Sequence, residues 1–198
     1  KLLSLVEKEG EVDKLFNANE TKISWTGNLK KDLLNAKVYK LNTNAIVHTL
    51  YRPFCKSNLY YDKSLIERPG LSGKLFPSKD FPNIVICITG AGASKPFSVI
   101  ITNKFANLDT LEKAQCFPQY CYDEGNPAQK DLFYGHESQK YVRRDAISDF
   151  VLERSQKLYG KNVNKEDIFY YVYGFLHCRE YRETFANDLK KRLPRLPL

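Results

Sequence analysis

Methionine is absent from this chain, tryptophan occurs once and histidine three times. No apolar run approaches the roughly 18 residues that a membrane-spanning helix needs, and the N-terminus lacks the charged-then-apolar pattern of a signal peptide. These absences argue against a helical membrane protein and an exported one. Cysteine is sparse too: five residues, an odd number at irregular spacings, which disfavours a secreted disulfide framework. Cys55, Cys87 and Cys116 sit among apolar or aromatic neighbours, where a reduced cysteine packs as a small hydrophobe. The expected setting is the reducing cytoplasm. With no methionine, an opening in mid-pattern at KLLSLVEKEGEV and an abrupt end at LPRLPL, the sequence reads as a piece of a larger protein.

What the chain does have is positive charge. Its formal charge is +8 and its pI near 9.1. Lysines and arginines that neutralise phosphates release condensed counterions, so such a balance suits a polyanionic partner, although a solvated basic surface has the same composition. A length of 198 residues, 42% hydrophobic and 27% charged, fits one globular unit with a substantial core.

Helical spacing is expected from residue 1 to about 35, where Leu2, Leu3, Leu5 and Val6 and then Leu29, Leu33 and Leu34 recur at turn intervals. Short β-rich runs follow from Val38 to Leu50, and LYYDK at Leu59 to Lys63 reads as a further strand. The strongest strand signal is NIVICIT at Asn83 to Thr89. A glycine-rich connection joins it to FSVIIT at Phe97 to Thr102, which suggests neighbouring strands with a long loop. CFPQYCY at Cys116 to Tyr122 predicts another strand, with Pro118 favouring an edge. From about Arg143 the chain reads as helical. Asp145 is the expected first cap, with Ile147, Phe150, Val151, Arg154 and Leu158 on one stripe and Gly160 as the stop. Asn164 with Asp167 predicts a capped second helix, and a third is expected from about Arg179 to Arg192, ended by Pro194. The fold class expected is α+β, a central mixed or antiparallel sheet with helices at the N-terminal end and a three-helix C-terminal segment. A β-rich region at 1–142 carries a helical segment at 143–198, the two forming one cooperative unit.

Chemistry-bearing motifs are few. GAGASK at Gly90 to Lys95 follows a strand but lacks the Gly-Lys-Ser/Thr ending of a phosphate-binding loop and the third glycine of a dinucleotide loop, and a strand follows it. It reads as a connection whose Ser94 and Lys95 are candidate DNA-backbone contacts. Cys116, Cys121, His177 and Cys178 lack the paired spacing of a zinc site. His177, at the end of an apolar helix, suits a carbonyl cap better than a catalyst. Neither a nucleophile triad nor a carboxylate pair emerges. The 13 tyrosines and 12 phenylalanines fall mostly on periodic apolar faces, which assigns the majority to packing.

Four segments carry a resemblance. YRPF at Tyr51 to Phe54 with LYYDK, the strand pair at Asn83 to Thr102, QCFPQY at Gln115 to Tyr120, and EDIFYYVYGFLHCREYRETFANDLKKRLPRLPL at Glu166 to Leu198 together resemble the C-terminal specificity domain of Type ISP restriction-modification enzymes and related DNA adenine methyltransferases. Cys55 departs from the acidic or polar residue expected after YRPF. The resemblance implies a DNA target-recognition domain, not itself an enzyme, that partners double-stranded DNA and an upstream methyltransferase module of the same chain. The parent protein would be a restriction endonuclease with adenine methyltransferase and helicase-like ATPase activities, using S-adenosylmethionine, ATP and magnesium. No cofactor or metal is expected in this domain, and Asn126-Pro127-Ala128 does not replace the Asn/Asp-Pro-Pro-aromatic motif that holds a flipped base. DNA-binding candidates are Arg52, Lys56, Arg68, Lys79, Ser94, Lys95 and Lys104, taken from loops beside the strands. For Arg52, between aromatics, a structural ion pair or cation–π contact is an equal expectation. The aromatic tail around Tyr170, Tyr171 and Tyr173 is assigned to scaffolding or docking. Two rival readings are a docking module without DNA and a methyltransferase fragment that binds S-adenosylmethionine through Gly90 to Ser94.

Overall fold

The computed structural model describes residues 26–66, 70–78, 80–125 and 141–197. The helical spacing around Leu2 to Val6, and the candidates Arg68 and Lys79, lie outside these residues. The chain divides into two compact units, of which the first comprises, as described, residues 26–46 and 60–66, and the second residues 47–59 and the described residues from 70 onward.

In the first unit, helix α1 (Gly27–Leu34) starts where the Thr26 hydroxyl accepts from the Leu29 amide at 3.3 Å. Beyond it the Asp32 carboxylate accepts from Tyr39 and pairs with Lys37 at 2.7 Å, which holds its carboxyl below the usual range. Val38 and Leu41, expected in a strand, are 81% and 80% exposed in coil.

The second unit is built around β3 (Val85–Ile88), all four residues of which are buried. It pairs antiparallel with β4 (Val99–Thr102) and with β6 (Gln115–Pro118), from Val85↔Thr102 to Ile88↔Val99 and from Val85↔Pro118 to Ile88↔Gln115. Pro118, lacking an N–H, falls on an edge strand as expected. Side chains alternate across a strand, so Ile86 and Ile88 face one apolar cluster while Val85 and Cys87 face another. A strand covered on both faces reads as a continuous apolar run, which is what NIVICIT is.

The first cluster unites β3 and β4 with the helices. It contains Phe97, Val99, Phe169, Leu176, Tyr181 and Leu189. Helix α3 (Asp149–Tyr159) is followed by α4 (Lys165–Leu176), whose Asn164 and Asp167 form the reciprocal capping box that their spacing predicts. Helix α2 (Ser72–Leu75) precedes β3, and its Leu75 packs into the second cluster.

Four further differences from expectation follow. CFPQYCY is two strands, because the Gln119 backbone bonds Ile84 at 2.8 Å and Ala146 at 3.0 Å, handing the chain from β6 to β7 (Tyr120–Glu124). Tyr141–Asp145 is strand β8, paired with β7 from Tyr120↔Asp145 to Glu124↔Tyr141. The cap of α3 is therefore Ser148, not Asp145, and its exposed face carries Phe150 and Leu158 while Ser155 is buried. The expected third helix is broken at Phe185 into α5 (Arg179–Thr184) and α6 (Ala186–Leu189). The α+β class stands, with strands distributed over three small sheets: β4-β3-β6, β7-β8, and a third described next.

Candidate nucleic-acid interface

The third sheet has the order β2-β1-β5, with β1 (Ile46–Arg52), β2 (Cys55–Tyr60) and β5 (Phe105–Ala106). Strand β1 is central and runs parallel to β5 through Thr49↔Phe105 and Leu50↔Ala106. Its attachment to the core is made by two buried hydroxyls: Thr49 donates to the Phe105 carbonyl at 2.7 Å, and Thr110 donates to the Leu50 carbonyl. Only Pro53 and Phe54 separate β1 from β2, so the strands form a tight hairpin. Beyond the buried Thr49 and Leu50, every residue from Tyr51 to Asn58 is exposed. This is the opposite of β3.

Arg52 and Lys56 lie on the two arms of that hairpin. The Arg52 guanidinium donates to the Asp109 carbonyl at 2.9 Å, lies 3.7 Å from the Asp109 carboxylate and sits 4.5 Å over the Tyr51 ring. It meets both the ion pair and the cation–π contact that its neighbours suggest. About half of its side chain (48%) remains exposed, so it is held in place while one side faces solvent. Lys56 is exposed and has no ion-pair partner among the described residues. Lys104 lies in the turn between β4 and β5, its amide bonded to the Thr102 hydroxyl at 3.1 Å, next to Phe105 and farther back from the tip.

Ser94 and Lys95 are placed elsewhere. The Gly90–Lys95 loop already holds an anion of its own. Glu112 accepts from the Ser94 amide (2.9 Å), the Ser94 hydroxyl (3.1 and 3.0 Å) and the Lys95 amide (2.9 Å). The Ser94 and Lys95 backbone amides foremost, against an opposing desolvation, keep the Glu112 carboxyl below its ordinary range. The Gly90 and Gly92 amides bond to the Glu112 and Lys190 carbonyls at 3.0 and 2.7 Å, and Ala93 bonds back to Gly90. Lys113 closes the ring by donating to the Gly92 carbonyl at 2.6 Å. A Cβ on Gly90 would meet the Lys113 carbonyl oxygen at 2.0 Å, which accounts for glycine there. Phosphate recognition by these amides, or a nucleotide-like cofactor cradle, would require displacing Glu112. Of the loop candidates, only the exposed Lys95 side chain is left to reach a partner.

Sequence reasoning missed three groups. Arg143 and Arg144, expected to decorate a helix start, lie on β8; Arg143 stacks over Tyr120 at 4.4 Å and Arg144 bonds Asp123 at 3.1 Å. Glu112 carries no motif, and its role appears only when β6 returns beside β3. Phe54, met in the sequence only as the end of YRPF, is 92% exposed. Its only sequence signal is the Pro-aromatic pair between two β-rich runs.

The chain is similar to parts of solved proteins that are bound to DNA. The chain is similar to part of DrdV in a DrdV–DNA complex (33% identity, TM-score 0.79), covering 99% of this chain and 18% of that one. It is also similar to LlaBIII, an ATP-dependent Type ISP restriction-modification enzyme bound to DNA (27% identity, TM-score 0.73, 88% and 11% covered). A third match is a nuclease-deletion mutant of the Type ISP enzyme LlaGI with a DNA substrate mimic (28% identity, TM-score 0.72, 100% and 14% covered). No curated protein matches the chain. The Type ISP C-terminal specificity domain matches residues 3–198, and the chain belongs to that family. It spans less than a fifth of the length of these solved relatives.

Proposed function

We propose that this chain selects a specific sequence in duplex DNA on behalf of a larger restriction-modification protein. It would position an upstream adenine methyltransferase and helicase–nuclease modules on that target. Membership in the specificity-domain family is the observation that carries the reading. The charge of +8 and the hairpin that presents Arg52 and Lys56 outward support it. In this reading Lys56, the open side of Arg52, and Lys104 set register on phosphates, while base edges are read from the same exposed sheet. Lys95 remains a peripheral phosphate contact, and Ser94 leaves the set because Glu112 occupies it. S-adenosylmethionine, ATP and magnesium belong to the upstream modules. The helical segment serves as scaffold and as the face toward the methyltransferase module, a role that the exposed Phe150, Leu158 and Tyr159 of α3 favour.

The test is selection from a pool of random duplexes across a salt series, with sequencing of the retained fraction. Enrichment of one asymmetric site, with affinity falling steeply as salt rises, is the expected result. Retention without enrichment would reduce the domain to a nonspecific clamp.

A further inference from the structure

Phe54 is the most exposed large apolar side chain among the described residues. It belongs to neither apolar cluster and has no ring partner among them. Its φ is +63°, a left-handed conformation that a bulky side chain rarely adopts. Glycine or asparagine is the ordinary residue after proline in a tight turn of this kind, since either takes positive φ at little cost. The fold thus bears two costs at one position, backbone strain and an unburied ring, with no packing in return. Such a combination points outward, to something the ring meets on binding. The surroundings specify what. Arg52 is fixed on one side of the tip by Asp109 and Tyr51, and the exposed Lys56, without an ion-pair partner among the described residues, stands on the other. A neutral ring between two cations matches a polyanion whose interior is a stack of flat aromatic faces.

We infer that Phe54 is a base-contacting wedge. Its ring enters a groove of the bound duplex and packs against base faces at one step, while Arg52 and Lys56 hold the flanking phosphates. The inference rests on the DNA-recognition reading above and adds to it a residue that acts without charge.

Phe54→Gly separates the two. Glycine adopts the same φ without penalty, so this variant melts at or above the temperature of the parent chain. Binding to a fluorescent pool of duplexes of about 30 base pairs, and to any site enriched from it, is expected to weaken about ten- to a hundredfold at fixed salt. The slope of log affinity against log salt stays that of the parent, because no phosphate contact is lost. Lys56→Ala gives the reverse pattern, a slope shallower by about one. A Phe54→Gly chain that binds as the parent does, while the parent binds steeply with salt, overturns the wedge and leaves DNA recognition standing. A lowered melting temperature in that variant also overturns it, by showing that the ring supports the fold. No binding by the parent chain even at low salt removes both.

Discussion

Strands β3 and β2 have the same backbone chemistry and opposite fates. All of β3 is buried between two apolar clusters, whereas β2 is exposed from Cys55 to Asn58 and only its last two residues are half-buried. The difference separates the residues that hold the fold together from those left open to a partner. Closure of the core depends on β3 meeting β4, β6 and the helices, whereas the β1–β2 hairpin, beyond the buried Thr49 and Leu50 that attach it, carries exposed side chains from Tyr51 to Asn58. A specificity domain needs this division, since residues that read a target must change without unfolding what holds them.

If the division is real, substitutions on the two strands should separate cleanly into losses of folding and losses of binding. Ile86→Ala, at 1% exposure between β4 and the helices, should have the largest effect, about 3–4 kcal/mol of stability by urea unfolding. Gly90→Ala forces a Cβ onto the Lys113 carbonyl and should cost about 2–3 kcal/mol in the same assay.

Glu112→Gln sharpens the contrast within the glycine loop. It weakens the bonds from the Ser94 and Lys95 amides and should lower the melting temperature modestly. The pH dependence has a definite sign. The carboxyl is depressed in the folded state, so its contribution is fully present above its unfolded value near 4.5 and is lost as pH falls through the folded value. Melting of the parent and of the Glu112→Gln chain should differ at pH 6 and converge toward acid. A difference that persists unchanged at low pH would contradict the assignment. The smallest effect on folding belongs to Lys56→Ala: stability within about 0.5 kcal/mol of the parent by urea unfolding, with only DNA affinity and its salt slope reduced.

Much of the buried half was legible beforehand. NIVICIT announced β3 through a run of β-branched residues broken only by Cys87, Pro118 announced an edge, and Asn164 with Asp167 announced the start of α4. The α+β class and the specificity-domain family followed from those segments and the aromatic tail. The failures cluster where a residue's role depends on distant partners. Asp145 looks like a helix cap in isolation, but β7 recruits it into a strand, and the cap passes to Ser148. Ser94 looks available until Glu112 arrives from eighteen residues away. On the exposed sheet the candidates fared unevenly. Arg52 proved engaged in structure and half open, Lys56 proved open, and Phe54 was not singled out because an aromatic between apolar neighbours has the composition of a core.

The most direct test of the account is hydrogen–deuterium exchange of this chain with and without the duplex enriched from the random pool. The account predicts slowed exchange in peptides covering Tyr51 to Asn58, with β3 slow and unchanged in both states. Protection confined to the helices from Asp149 to Leu189, with none at the hairpin, would contradict it.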